Sequence, residues 1–113
     1  MAAPQLSNLY ALTGDNIDAV VMETAAGVYV LDKTPTGGFT VSYVGRSDAD
    51  LNKCLHDHVG NYEFFEYAYC SSPKAAFEAE CELYHDYRPP DNIVHPERTT
   101  NSGWKCPRCL LFG

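Results

Sequence analysis

The chain of 113 residues has room for one domain with its own core and not for two. At 45% hydrophobic and 20% charged residues, with eight Tyr and five Phe, its composition excludes wholesale disorder and low-complexity repeats. Fifteen Asp and Glu against eight Lys and Arg leave a net charge of -7, which opposes a broad electrostatic grip on nucleic acid. The imbalance is uneven, because residues 95–113 carry Arg98, Lys105 and Arg108 against Glu97 alone, so the tail is the expected polyanion contact. Salt adaptation of the surface is a second source of such acidity and leaves function untouched. No apolar run approaches the roughly 18 residues of a membrane span, and the N-terminal stretch shows no basic segment leading into a long apolar one. A soluble, non-secreted protein of the cytoplasm with no membrane partner is expected. In that compartment five cysteines read as thiols or metal ligands and not as a disulfide framework.

In chain order, Ile17, Val20 and Val21 recur at helical spacing behind Gly14 and Asp15 and predict a short helix over 15–23. GVYVL at 27–31 and FTVSYVG at 39–45 flank DKTPTGG, whose Pro and two Gly mark a turn, so the three segments predict a β-hairpin. Alternation along its second strand sets Phe39, Val41 and Tyr43 on one face and Thr40, Ser42 and Val44 on the other. Ser47 is the candidate cap of a helix that starts at Asp48 and ends near Gly60, with Leu51, Cys54, Leu55 and His58 on one inward stripe. The aromatic run YEFFEYAYC at 62–70 predicts a third strand. Ser72 as N-cap and Pro73 at the first helical position then open a helix that runs to about Tyr87, before Pro89 and Pro90 stop it. These elements describe an α/β fold: a small, mainly antiparallel three-stranded sheet flanked by helices. It forms one domain over 1–113, with a core at 27–92 and a tail at 93–113.

The last helix has an informative wheel. Glu78, Glu82 and Asp86 repeat every four residues and predict a solvated acidic face. Ala76, Glu80, Leu83 and Tyr87 repeat at i, i+4, i+7 and i+11, which puts Glu80 inside the apolar stripe. A carboxylate aimed at a core is costly unless paired, hydrogen-bonded or metal-bound, so Glu80 is either a functional carboxylate or half of a partly buried ion pair.

CPRC at 106–109 has the spacing of a zinc half-site, and too little chain follows Cys109 to form the helix that a redox motif of this kind expects. Cys81 and His85, at i and i+4 on one helix face, can complete a structural Zn²⁺ site with Cys106 and Cys109, and His95 is the rival fourth ligand. The alternative is a buried Cys81 and an exposed His85 with no metal. A zinc staple makes physical sense, since a tail rich in Pro, Asn, Thr, Ser and Gly cannot bury enough apolar area to stay folded alone. Cys54 and Cys70 lack such partners and read as buried thiols.

GVY at 27–29, YVG at 43–45, the helix residues Leu51, Leu55 and His58, and AFEAECELYHDYRPPDN at 76–92 occur in the order and spacing of the GIY-YIG nuclease family, which this chain resembles over most of its length. The resemblance implies a domain that hydrolyses nucleic-acid phosphodiester bonds, with DNA as partner and Mg²⁺ or Mn²⁺ as catalytic ion. Glu80 would hold that ion. Tyr29 and Tyr43 would flank the phosphate, one helping to activate the attacking water and the other orienting it. His58 is similar in position to a further polar catalytic residue, and Asn92 to one that buttresses the site. Packing in the sheet is the ordinary alternative for the two tyrosines. Where the family carries an Arg on its first helix, this chain has Cys54, and a thiol cannot replace a guanidinium fork. Arg46 and Lys53 are the nearby bases. The competing function is a non-catalytic, zinc-containing module that binds nucleic acid or protein.

Overall fold

Strand β2 (Gly27–Asp32) is buried at all six positions, as its near-continuous apolar sequence requires of a strand covered on both faces. It is flanked by β3 (Tyr43–Ser47) and β4 (Phe64–Tyr69), both antiparallel to it, and a two-residue β1 (Tyr10–Ala11) adds to the far edge of β4. The order is β1-β4-β2-β3, which leaves β3 at an edge. The computed structural model describes residues 6–7, 9–32, 41–89, 91–92, 104 and 106.

Side-chain alternation on β2 sorts the core into two layers. Tyr29 and Leu31 face Ile17 of α1 (Gly14–Val20) together with Leu51 and Leu55 of α2 (Leu51–His56). Val28 and Val30 face Ala79 and Leu83 of α3 (Pro73–Tyr87). Leu51 and Leu55 are fully buried, each contributing roughly 1.5–3 kcal/mol from burial. A third cluster of Phe77, Cys81, Cys106 and Trp104 lies on another side of α3.

Several expectations are corrected. Among the described residues the sheet has four strands and not three: β1 has no strand-like run of its own and exists because Tyr10 and Ala11 pair with Phe65 and Phe64 of β4, flanked by Ser7 donating to the Tyr67 carbonyl and Leu12 to that of Glu63, both at 2.8 Å. Helix α1 ends at Val20, earlier than expected, and is capped by Thr13 and not by Gly14 or Asp15. Strand β3 starts at Tyr43 and runs through Ser47, so Ser47 belongs to the strand; its hydroxyl accepts from Asp50, and Asp50 caps α2. Helix α2 stops at His56, which leaves His58 in the turn that follows. The acidic face of α3 is narrower than its wheel implies: Glu82 is only 1% exposed, on a helix that packs on the sheet through Ala79 and Leu83 and on Trp104 and Cys106 through Phe77 and Cys81. Helix α3 itself has the expected bounds. Ser72 accepts from Ala75, Pro73 opens the helix, and Arg88 closes it in the left-handed conformation (φ 46°) just before Pro89. Residues 33–40, which contain the expected hairpin turn, lie outside the described residues.

Candidate active site

The hairpin brings the two tripeptides into register: Tyr29 lies opposite Gly45 and Leu31 opposite Tyr43. A Cβ on Gly45 would overlap the Tyr29 ring, so the glycine is what lets this ring lie across β3. Tyr29 then meets Tyr43, with ring centroids 6.4 Å apart, and both meet His58, at 5.5 and 5.3 Å. The Tyr29 hydroxyl and His58 Nε2 are hydrogen-bonded at 3.0 Å. Burial, reinforced by Tyr43 and then by Cys54 and Glu80, pushes the Tyr29 phenol far above its ordinary value, and burial also raises Tyr43. Burial lowers His58, against the pull of Asp57. The phenol–imidazole pair is therefore neutral at pH 7.

Glu80 approaches from α3. It is 8% exposed, and its Oε1 accepts from Arg46 Nη1 at 2.8 Å, while Arg46 Nε donates to Asp48 Oδ1 at 2.9 Å. Burial pushes the Glu80 carboxyl up to about 7 although Arg46 pulls it down. For Arg46, burial lowers and the bonds to Asp48 and Glu80 raise, leaving the guanidinium above its ordinary value and charged. Both alternatives for Glu80 thus meet in one place: it is half of a buried ion pair and it borders a cleft. That cleft, about 310 Å³, is lined by Tyr29, Tyr43, Arg46, Ser47, Asp48, Cys54 and Glu80. Cys54, expected as a buried thiol, is half-buried and on the wall of the cleft. Lys53 is exposed on α2 and is not among the lining residues.

Asn92 closes the outer edge of β3. Its Oδ1 accepts from the Val44 amide at 2.7 Å and its Nδ2 donates to the Val44 carbonyl at 2.9 Å, so one side-chain amide pairs with the edge as a neighbouring strand would. Val44 lies between Tyr43 and Gly45, which makes Asn92 a buttress for both. Tyr62, absent from the sequence-level candidates, ties the same segment to the aromatic cluster: its hydroxyl donates to Asp91 Oδ2 at 2.8 Å and its ring lies 6.1 Å from Tyr43 and 5.9 Å from His58. Asp48 and Phe77 were likewise unexpected partners of Arg46, Phe77 carrying the guanidinium over its ring at 5.2 Å. Spacing gives no signal for Tyr62 and Phe77, whose contacts cross between elements, whereas Asp48 lies only two residues beyond Arg46 and its pairing is local.

The second candidate centre is partly described. Cys81 and Cys106 are buried, Cys106 Sγ lies 3.4 Å from His85 Nε2, and burial, reinforced by contact with Cys106, raises the Cys81 thiol. Cys109 and His95 lie outside the described residues. Among the described residues no group of three or more His, Cys, Asp or Glu is arranged to hold a metal ion. Among them also, no helix is long and apolar enough to cross a membrane. Trp104 meets Phe77 in a tilted ring contact at 5.6 Å, which links it to the support of Arg46.

Comparisons with protein-family models, curated proteins and solved structures found no match for this chain.

Proposed function

We propose that the cleft is the active site of a GIY-YIG-like endonuclease that hydrolyses DNA phosphodiester bonds with Mg²⁺ or Mn²⁺. The observation that carries the reading is the convergence of Tyr29, Tyr43 and Glu80 on one cleft from β2, β3 and α3, with His58, in the turn after α2, bonded to Tyr29. A buried carboxylate that lines a cleft together with two phenols is a functional candidate beyond its pairing with Arg46.

The donor set fits a hard divalent ion. One carboxylate, with the remaining positions left to water and phosphate oxygens, is how Mg²⁺ is commonly held, and Glu80 borders an open cleft with Asp48 nearby. Such an ion would neutralise the scissile phosphate and stabilise the leaving oxygen. Tyr29 accepts the proton of the attacking water as its own hydroxyl proton passes to neutral His58 Nε2. The bond from water oxygen to phosphorus forms, the bond to the leaving oxygen breaks, and that oxygen takes a proton from solvent. Tyr43 orients the water, and Asn92 holds the strand that carries Tyr43.

A structural Zn²⁺ on Cys81, His85, Cys106 and Cys109 belongs to the same reading, with His95 as the rival to His85. The 3.4 Å approach of His85 to Cys106 and the burial of Cys81 beside them support it. Protein purified without chelator should contain about one equivalent of zinc, and stripping it should expose Cys81 and Cys106 to alkylation. Metal analysis that finds no zinc, with both thiols modified at once, would refute the centre; separate His85→Ala and His95→Ala variants identify the histidine ligand. The described cysteines form no disulfide, which supports placement in the reducing cytoplasm.

The function is tested by incubating branched, single-stranded and duplex DNA with the protein and Mg²⁺ or Mn²⁺, with Glu80→Ala in parallel. Metal-dependent cleavage by the parent alone is expected. Tight binding with no cleavage of any of the three would favour the non-catalytic module, the reading that Cys54 and the charge of -7 support.

A further inference from the structure

Cys54 stands where the resemblance expects an arginine, and in the fold it lines the same cleft as Arg46. Arg46 arrives there from β3. Pairing with Val28 turns it toward α3, where its contacts include two kinds. Two hold the plane of the guanidinium: Nε donates to Asp48 Oδ1 at 2.9 Å, and the Phe77 ring lies beneath at 5.2 Å, itself backed by Trp104. The third, from Nη1 to Glu80 Oε1 at 2.8 Å, engages the carboxylate that a catalytic cation requires.

We propose that Arg46 is an exchangeable counterion of Glu80. It holds the carboxylate in the cation-free cleft, yields Oε1 when a divalent cation binds, and turns its Nη end on the phosphate of the bound strand, supplying there the positive charge that Cys54 lacks. The inference rests on the reading of this cleft as a phosphodiester site. Its physics is the crowding of charge. A guanidinium and a divalent ion on one carboxylate repel each other unless a further anion lies between them, and a phosphate is that anion. The fork suits the exchange, since Asp48 and Phe77 retain its anchor while the Nη end that yields Glu80 has the planar geometry of bidentate phosphate contact. Cation and strand binding must then reinforce one another, and by linkage the reinforcement is reciprocal.

The test uses the full chain with its zinc centre kept filled. Mn²⁺ affinity is read by the electron spin resonance of free Mn²⁺, and affinity for a branched oligonucleotide by fluorescence anisotropy, with and without Mn²⁺. Arg46→Gln should bind Mn²⁺ at least about fivefold more tightly than the parent, because the competitor for Glu80 is gone, while losing the gain of about fivefold or more in strand affinity that Mn²⁺ gives the parent. Unchanged or weaker Mn²⁺ binding by Arg46→Gln overturns the exchange. A Glu80→Gln variant that binds Mn²⁺ as the parent does overturns both the exchange and the cation site beneath it. A parent that shows both binding effects yet cleaves no substrate upholds the exchange and refutes the nuclease reading alone. If Arg46→Gln is not folded at the assay temperature, Arg46→Lys decides: a point charge still competes for Glu80 but lacks the fork, so Mn²⁺ affinity should stay near the parent's while the strand gain disappears. Retention of the full gain by Arg46→Lys overturns the assignment.

Discussion

Glu80→Gln should abolish metal-dependent cleavage and yet be the more stable of the two proteins at pH 7 in chelator, by up to roughly 3 kcal/mol. The two halves follow from one balance. Burial raises the Glu80 carboxyl from an ordinary 4.5 to about 7 in spite of the Arg46 pair, so the fold tolerates the neutral form better than the charged one, and Gln reproduces the neutral form. The sign of the pH dependence is fixed by the same shift. Because the folded carboxyl binds its proton more tightly than the unfolded one, its contribution to stability is complete below pH 4.5 and is lost as the pH rises through about 7. Across that window the metal-free parent should lose roughly 3 kcal/mol relative to Glu80→Gln. Added Mn²⁺ should restore the parent above pH 7 and leave the variant unmoved. Melts from pH 4 to 8, in chelator and in Mn²⁺, measure all of this. A purely structural ion pair makes the opposite forecast, since removing one partner of a buried pair destabilises by roughly 3–5 kcal/mol with or without metal. That result would take away the main support for a cation site.

How much of this was legible depends on whether the cause lies near in sequence. Helix α3 could be bounded to the residue because its signals are local: Ser72 caps it, Pro73 starts it, and Pro89 ends it. The inward placement of Glu80 followed from helical periodicity, and the pairing of β2 with β3 followed from two strand patterns flanking a Gly- and Pro-bearing turn. Strand β1 was invisible, because two residues carry no pattern and the pairing with β4 spans more than fifty positions. Glu82 was misplaced since a helical wheel assumes one covered face, whereas α3 is covered on two sides. The ion pair was foreseen as a possibility but not its partner; Arg46 lies 34 residues from Glu80, and only the packing of α3 on the sheet joins them. Gly45 could have been assigned from the hairpin alone. Register places it opposite Tyr29, and a large ring opposite a glycine is a common way for a sheet to seat an aromatic side chain.

Tyr29→Phe should slow cleavage by roughly 10² or more while leaving the fold intact, because the substitution removes only the hydroxyl that bonds His58 Nε2 at 3.0 Å. All the ring contacts with Tyr43 and His58 remain available to Phe. A phenol held far above its ordinary value is a poor base by itself, so Tyr29 can take a proton from water only as it passes its own to His58. Burial suits His58 to that part, for by lowering its affinity for protons it keeps the imidazole neutral to lower pH than an ordinary histidine. Two consequences can be measured. His58→Ala should cost about as much as Tyr29→Phe, and the double variant should be little worse than either, since a relay fails once either member is lost. The acid limb of the parent's pH profile that belongs to His58 should lie below the ordinary histidine range and vanish in His58→Ala. Cleavage should be followed at saturating Mn²⁺, so that the protonation of Glu80 does not impose its own limb. Full activity in Tyr29→Phe would return both tyrosines to sheet packing; additive losses in the double variant would mean that Tyr29 and His58 act separately, with the hydrogen bond between them structural.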